Sequence, residues 1–323
     1  MAEIAAIKEK PRTALVISGG GSKGAFAVGA VDYLMHAKKI KFDILCGTST
    51  GALISGLIAS NKSEMLRPLY TSVYTKDIIS KRFLPAALLF FDSLYSTKPL
   101  ESLIKKNITL QDGATIFNSG IQMFLTTMSL QSGKTTYFQT GPEARKSSKY
   151  GVYHLHDYKK LLDALLASSS QPVLMPPVSI DTGAHADQYV DGGVKDVAPL
   201  RVAIDNGATE IYTILLNPAD FPRDDKKFDH IMPIAGRTLF AMCQEIMEND
   251  INICQETNDK IDKYSILGSN ILDNPYAVKK KINLHIIRPE KPIDGGDHGL
   301  RFDPKEMKAM VESGYKTAEK MFS

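Results

Sequence analysis

The fold is decided by two stretches of sequence, Thr13-Ala-Leu-Val-Ile-Ser-Gly-Gly-Gly-Ser-Lys-Gly24 and Phe42-Asp-Ile-Leu-Cys-Gly-Thr-Ser-Thr-Gly51. In each stretch a β-branched, apolar segment predicts a buried strand, and the glycines after it predict a tight turn. Apolar residues at helical spacing follow both turns, over residues 25–37 and 52–59. Two successive strand-turn-helix units predict a parallel sheet with helices packed on its faces.

The remaining chain continues this α/β pattern. Segments 121–130 and 135–139 flank a Gln-Ser-Gly-Lys turn and predict a hairpin, because a glycine at position 133 is free to take a positive φ. Three further strands are predicted over residues 187–191, 211–216 and 282–287. Helices are predicted over residues 158–167, over residues 234–261 and after Asp303, where Asp303 is the N-cap and Pro304 the first helical residue.

Domain organisation follows from the same pattern. Residues 62–118 show helical patches with few strand signals, which predicts a helical insertion. Repeats, low-complexity tracts and Pro/Ser-rich linkers are absent from the sequence. We therefore expect one α/β domain over residues 13–323, preceded by an exposed tail over residues 1–12.

Composition excludes several classes of function. The 323 residues carry 39 Lys+Arg and 36 Asp+Glu, a formal net charge of +3, so no basic field supports binding to nucleic acid.

The N-terminus lacks the continuous apolar stretch of a signal peptide, and the longest apolar run, Phe83 to Phe91, is far shorter than the roughly 20 residues that span a bilayer. We expect a cytoplasmic protein whose membrane contact is peripheral, with secretion without a signal peptide left open.

The three cysteines and the acidic residues give no sign of a metal or cofactor. Cys46, Cys243 and Cys254 form no CxxC pair or Cys/His cluster at zinc spacing, so buried thiols are the better interpretation. No loop has the ligand spacing of a calcium-binding EF-hand. The sequence therefore predicts no metal and no cofactor.

Gly47-x-Ser49-x-Gly51 lies between an apolar strand and an apolar helix, which is the context of a nucleophile elbow. There the serine hydroxyl projects from a tight turn that both glycines permit. The positive end of the helix dipole, together with the Thr50 N–H, would stabilise the negative charge that develops during attack on a carbonyl. Ser49 is the predicted nucleophile.

The glycine-rich loop offers several unhindered N–H groups, from Gly19, Gly20, Gly21, Ser22, Lys23 and Gly24, and such groups at a helix N-terminus can bind an anion or an oxyanion. The same residues fit the dinucleotide fingerprint, but its acidic partner Asp43 stands at the beginning of a strand, on the wrong edge of the sheet. A phosphate-binding P-loop also fails, because no Lys-Ser/Thr follows the last glycine. Lys23 itself is expected to be solvated.

A serine nucleophile needs a base, and two interpretations of this base remain open. None of the seven histidines has a distinctive catalytic context, although His285 or His298 could complete a Ser-His-Asp triad. Asp191 is more unusual, because it closes a strand and enters Gly192-Gly193, whose backbone can approach a neighbouring loop closely. An Asp before Gly also forms ordinary turns.

These three motifs, in this order, resemble the patatin-like phospholipase family. That family has a GGGxxG oxyanion loop after the first strand, GxSxG after the second and a later Asp-Gly-Gly or Asp-Gly-Ala. The resemblance extends from about Thr13 to Met321 and includes the small-residue, Pro-rich segment 167–178, the turn 130–134, Ile287-Arg-Pro289 and the helix start at Phe302-Asp-Pro304. Lys23 departs from the family, where Arg is more frequent and can bind a phosphate in bidentate fashion.

The resemblance implies a three-layer α/β/α fold, with a central, mostly parallel sheet, and a lipid acyl hydrolase that acts on phospholipids or related esters. Ser49 would attack the ester carbonyl, Asp191 would accept its proton, and the Gly20-Gly21 region would supply oxyanion N–H groups. A catalytically silent lipid-binding or partner-binding module of the same fold is a second alternative. The Phe83 to Phe91 run, after Lys81-Arg82, could touch a lipid surface or cover an acyl pocket, which makes the insertion a candidate lid.

Overall fold

A nine-stranded mixed sheet is the centre of the fold in a computed structural model, which describes residues 11–82, 91–220, 223, 225, 227–266, 276, 279–296 and 299–323. The predicted tail lies outside these residues except for Pro11 and Arg12, and Arg12 already belongs to the first strand. This strand begins one residue earlier than predicted because Arg12 pairs with Ala208 of a neighbouring strand. The Arg12 guanidinium also donates to Gln122 Oε1 at 3.0 Å and to the Asn206 carbonyl at 2.8 Å.

The elements in chain order are β1 (Arg12–Ile17), α1 (Gly24–Asp32), β2 (Ile44–Thr48), α2 (Thr50–Ala59), α3 (Leu66–Tyr70), β3 (Ser80–Lys81), β4 (Tyr95–Ser96), α4 (Lys98–Asn107), α5 (Leu110–Asn118), β5 (Gln122–Ser129), β6 (Thr135–Thr140), β7 (Gly151–His154), α6 (Tyr158–Ser168), β8 (Val178–Asp181), β9 (Ala186–Asp191), α7 (Leu200–Asp205), β10 (Ala208–Ile214), α8 (Ile231–Ile266), β11 (Asn283–Ile287) and α9 (Pro304–Phe322). Helix α1 continues as a π-helical turn over Tyr33–Ala37. Strands β3 and β4 form a separate hairpin.

The main sheet has the order β11-β10-β1-β2-β5-β6-β7, with β9 paired to β5 and β8 paired to β9. Strands β11, β10, β1, β2 and β5 are parallel, whereas β6 returns antiparallel to β5 through the predicted turn, in which Gly133 has a φ of 65°. The carboxyl ends of these five parallel strands therefore lie on one edge of the sheet. Open α/β sheets bind their ligands at this edge.

Helices cover both faces of the sheet, as the alternation of side chains along β1 and β2 requires. Leu15, Ile17 and Leu45 point to one face and pack into a core with α1, α2, α6 and α9. Val16 and Cys46 point to the other face and pack with α7 and α8. The predicted three-layer α/β/α arrangement with a mostly parallel sheet is confirmed.

Residues 62–82 and 91–118 contain the helices α3, α4 and α5 and the small β3–β4 hairpin. The predicted apolar run Phe83 to Phe91 lies outside the described residues except for Phe91, whose ring centroid is 4.4 Å from the Arg82 guanidinium. In the part of the chain that the structure describes, no helix is both long enough and apolar enough to cross a membrane. All three cysteines are free thiols. Cys46 and Cys254 are buried as predicted, whereas the prediction is wrong for Cys243, which is only partly buried.

Candidate active site

Strand β5 brings Ser49 and Asp191 together, although they are far apart in the sequence. One edge of β5 pairs first with β2, through Thr126 opposite Thr48, and then with β9, through Thr127 opposite Asp191. Because β9 runs antiparallel to β5, its last residue meets the carboxyl end of β2. The residue that follows β2 is Ser49, so both predicted catalytic groups lie at the same point of the sheet edge.

Ser49 occupies a strained turn between β2 and α2. Its φ of 57° and ψ of −122° are rare for a residue with a side chain, which is the backbone conformation expected of a nucleophile elbow. The turn is tight enough to require glycine, because a Cβ on Gly47 would lie 2.3 Å from the Gly51 carbonyl oxygen. The Ser49 N–H donates to Ser168 Oγ at 3.1 Å, which holds the turn in place.

Asp191 is a buried carboxylate close to Ser49, whose hydroxyl acts to lower the pKa of the carboxyl group. Its Oδ1 also accepts from the Gly193 N–H at 2.8 Å, and its own N–H donates to the Ser170 carbonyl at 2.8 Å. Burial raises the pKa of Asp191 from the ordinary 3.8 to about 6, although the hydrogen bond from the Gly193 N–H and the nearby Ser49 hydroxyl oppose this shift. Gly192 lets the chain pass beside β5, since a Cβ there would lie 2.6 Å from the Thr126 side chain.

The glycine-rich loop lies directly against the elbow. A Cβ on Gly19 would be 3.3 Å from Ser49 Cβ, and one on Gly24 would be 2.2 Å from Thr50 Oγ1. The loop also packs on a later segment at Gly21, whose φ is 59° and where a Cβ would lie 2.1 Å from the Gly299 carbonyl oxygen. Only glycine fits such a close approach at a positive φ.

Some N–H groups of this loop are already used inside the protein. The Gly19 N–H donates to a backbone carbonyl at 3.1 Å, and the Lys23 N–H donates to the Gly20 carbonyl at 3.2 Å. The Gly24 N–H donates to the Gly21 carbonyl. Of the predicted loop donors, Gly20 and Gly21 remain the better oxyanion candidates, together with the Thr50 N–H in the first turn of α2.

The prediction that Lys23 is solvated is wrong. Its ammonium donates to Asn217 Oδ1 at 2.9 Å and lies 4.9 Å from the centre of the Phe240 ring. Burial lowers the pKa of Lys23 to about 8, and the nearby Asp294 carboxylate opposes this shift. The sequence around Lys23 could not indicate this environment, because all three neighbours come from remote segments.

An apolar pocket opens at Ser49. Gly21, Ser49, Thr50, Gln171 and Met175 are among its lining residues. The rest of its wall comes from α2, α3, the segment after α3, α4 and two C-terminal residues, including Leu53, Leu57, Leu69, Val73, Leu103, Ile104, Leu300 and Phe302. The predicted insertion therefore builds much of the pocket wall, while its action as a lid remains a prediction.

Three polar contacts near the elbow were not foreseen from the sequence. Tyr70, on α3, is buried with its hydroxyl 2.6 Å from Thr50 Oγ1, which ties the insertion to the first turn of α2. On the opposite face of the sheet Thr48 Oγ1 donates to the Asp196 carbonyl at 3.0 Å, and Tyr137 donates to the Asp196 carboxyl group. Burial raises the pKa of Asp196 to about 7.

The histidine alternative finds no support among the described residues. His285 lies in β11, three strands from β2 and therefore about 14 Å away across the sheet. Its Nε2 is 2.5 Å from Glu210 Oε1, and its ring stacks on Tyr212. His298 lies outside the described residues. The side chains that the structure describes include no group of three or more His, Cys, Asp or Glu that could hold a metal ion.

Fold and site together define an α/β protein with a buried serine-carboxylate pair at the carboxyl edge of a mixed sheet. The sequence profile described as "Patatin-like phospholipase" matches residues 15–204, more than half of the chain. The chain belongs to the patatin-like phospholipase family.

Curated relatives are similar at a distance. The chain is 29% identical to the uncharacterized protein YjjU of Escherichia coli over 209 residues, which cover 64% of this chain and 53% of that protein. It is 27% identical to a cGAMP-activated phospholipase of Pseudomonas aeruginosa over 192 residues, which cover 57% of this chain and 53% of that protein. It is also 26% identical to the lysophospholipase NTE1 of Lodderomyces elongisporus over 218 residues, which cover 67% of this chain and 13% of that protein. The matched part thus spans about half the length of the first two relatives.

Proposed function

We propose that the chain is a serine lipid acyl hydrolase, which releases fatty acid from phospholipids or lysophospholipids through a Ser49-Asp191 dyad. One observation carries the proposal: the sheet register places Ser49, which lines an apolar pocket, next to the buried Asp191 carboxylate. Membership of the patatin-like phospholipase family supports a lipid hydrolase in general, and the names of two relatives, a phospholipase and a lysophospholipase, agree with this substrate class.

In the first half of the reaction, Ser49 Oγ attacks the ester carbonyl while its proton passes to Asp191. The raised pKa of Asp191, about 6, makes it a better base than an ordinary carboxylate. The N–H groups of Gly20 and Gly21, with the N-terminus of α2, would stabilise the tetrahedral oxyanion. When the carbon-oxygen bond of the ester breaks, the leaving alcohol takes the proton from Asp191 and an acyl-serine remains.

In the second half, water attacks the acyl-serine. Asp191 accepts a proton from the water and then returns it to Ser49 Oγ as the serine leaves, so the enzyme is regenerated and the fatty acid is released. The acyl chain would lie in the apolar pocket beside Leu53 and Leu57, which follow Ser49 along α2 by about one and two helical turns. The pocket thus accounts for a substrate with a long hydrocarbon chain.

A panel of lipids with mass-spectrometric product analysis tests this function. The panel contains diacyl phospholipids with different acyl chains at the two positions, lysophospholipids and triacylglycerol. We expect free fatty acid and the corresponding lysolipid or glycerophosphodiester as products. Release of the phosphorylated head group instead of fatty acid, or no product from any lipid, would contradict the proposal.

The pH dependence of kcat/KM should reveal the dyad base. Asp191 acts as a base only in its charged form, so protonation below its pKa of about 6 removes activity. We expect kcat/KM for an uncharged ester to be constant at neutral pH and to fall about tenfold per pH unit well below pH 6. A His285→Ala variant should keep this profile. A profile that stays flat down to the ordinary pKa of an aspartate would contradict the assigned environment of Asp191.

A larger side chain in the pocket should shorten the preferred acyl chain. Leu103 lines the pocket, so Leu103→Phe removes room for the end of a long chain but leaves Ser49 untouched. We expect kcat/KM for long-chain esters to fall about fourfold for each methylene group that the phenyl ring displaces from the pocket. The kcat/KM for short-chain esters should stay unchanged. Leu110→Phe is the matched control, because Leu110 is 69% exposed on α5. Equal losses for short and long chains would place the acyl chain elsewhere.

A further inference from the structure

Helix α8 is longer than the sheet that it covers. Near the carboxyl end of β10, Gln244 Nε2 donates to the Pro218 carbonyl at 3.0 Å. At the opposite edge, Asn258 Oδ1 accepts from the Ile282 N–H at 2.9 Å, directly before β11 begins. The 14 residues from Gln244 to Asn258 span about 21 Å, which is about the length of the strands that the helix covers.

Residues 231–243 of α8 therefore extend beyond the sheet edge, by about 20 Å at 1.5 Å per residue. We call residues 231–243 the projecting segment. Because β10 and β2 are parallel members of one sheet, this is the edge at which β2 ends. Two contacts place the base of the segment beside the candidate active site: Cys243 Sγ is 3.3 Å from the Gly193 carbonyl oxygen, and the Phe240 ring lies against the Lys23 ammonium.

The projecting segment differs in composition from the rest of α8. It reads Ile-Met-Pro-Ile-Ala-Gly-Arg-Thr-Leu-Phe-Ala-Met-Cys and contains one charged residue, Arg237, whereas residues 244–263 contain eight. Beyond the sheet its apolar side chains face solvent: Ile231 is 83% exposed, Met242 59%, Ile234 46% and Leu239 37%.

Along the sheet the helix is amphipathic. Met247, Ile251 and Cys254 are buried at helical spacing, and most of the charged residues of α8 lie on this part. The projecting segment lacks this pattern, because its apolar side chains have no matching polar face. An exposed apolar helix of this kind marks a surface that is covered by an apolar medium or partner.

We propose that the projecting segment is a membrane-docking element, which inserts its apolar side chains into a lipid surface and holds the edge that carries Ser49 against that surface. The proposal rests on the proposed function, since an enzyme that takes its substrate from a lipid surface must bring this edge to it. A second copy of the chain bound to the same residues would stand between the catalytic edge and the lipid. Because 12 of its 13 residues are uncharged, an apolar lipid interior is the surface that matches the chemistry of the segment.

Flotation with vesicles made of ether-linked phosphatidylcholine and phosphatidylglycerol tests this docking directly, because ether lipids cannot be hydrolysed. Ile231→Glu and Met242→Glu should each lower the partition coefficient of the full chain at least about tenfold, since each removes one large apolar side chain from the lipid. Ile253→Glu is the matched control: Ile253 is 60% exposed on the same helix but lies beside the sheet. We expect it to bind vesicles as the unchanged protein does.

Three outcomes would overturn the proposal. The first is that the unchanged protein does not bind the vesicles, and the second is that all three variants lose vesicle binding equally. The third is that Ile231→Glu binds vesicles as the unchanged protein does but no longer forms a dimer that light scattering detects in the unchanged protein. The last outcome would assign the segment to contact between copies. Hydrolysis of a water-soluble butyrate ester is measured in parallel. Absence of this hydrolysis, with vesicle binding intact, would contradict the catalytic proposal and leave docking supported, so the two failures are distinguishable.

Discussion

Ser49→Ala should lower the rate of fatty acid release by about 10³-fold or more, because no other group can form the acyl intermediate in its place. The change removes one oxygen from a residue that is only 5% exposed, so the fold should be retained. It also removes the hydroxyl group that lies beside the Asp191 carboxylate. Initial rates on a lysophospholipid, with the thermal unfolding temperature measured beside them, check this expectation.

The matched control is Ser60→Ala. Ser60 is a buried serine at the end of α2, and its hydroxyl donates to the Leu57 carbonyl at 3.0 Å, well away from the elbow. This variant should keep its rate within a small factor. If Ser49→Ala retained a tenth of the activity, the nucleophile would have to be another group.

Asp191→Asn should cause a loss of similar size, about 10³-fold or more. An asparagine fills the same space and can still accept the Gly193 N–H through its oxygen, but its amide group cannot take the proton of Ser49. Because the substitution also removes a charge from a buried position, we expect the folded protein to remain at least as stable. Rates on the same lysophospholipid and a denaturant titration measure both effects.

Asp187→Asn is the control for this change, since Asp187 lies on the same strand and its carboxylate accepts from Ser129 Oγ at 2.7 Å. It should leave the rate nearly unchanged. The triad alternative would be supported if Asp191→Asn were active while a variant of His285 or His298 was not. Intact folding with no esterase activity in the unchanged protein would favour a catalytically silent module.

Short-range patterns were sufficient to predict most of the fold. The two glycine-rich turns and the Asp303 N-cap are local signals, and the structure places them as expected, with Asp303 accepting from the Glu306 N–H at 3.0 Å. Strands β7 and β8 and helix α7 were not predicted. Each has only four to six residues, and such short elements depend on pairing or packing with remote segments rather than on their own periodicity.

The site was predictable only where its chemistry lies in a motif. Ser49 and Asp191 were named from their glycine neighbours, but the way they meet depends on the shared edge of β5 at Thr126 and Thr127, which no local pattern encodes. Tyr70 was missed for the same reason, because its bond to Thr50 joins an irregular insertion to the elbow. The half-buried state of Lys23 likewise depends on remote residues.

Peptide mapping by mass spectrometry after reaction with a fluorophosphonate ester tests the central claim, a serine nucleophile activated by Asp191 without histidine. We expect a single adduct on Ser49 in the unchanged protein. The same adduct should form at the same rate in His285→Ala and His298→Ala, and much more slowly in Asp191→Asn, because the hydroxyl then has no base. An adduct on another residue, or its loss in either histidine variant while Asp191→Asn reacts normally, would contradict the dyad.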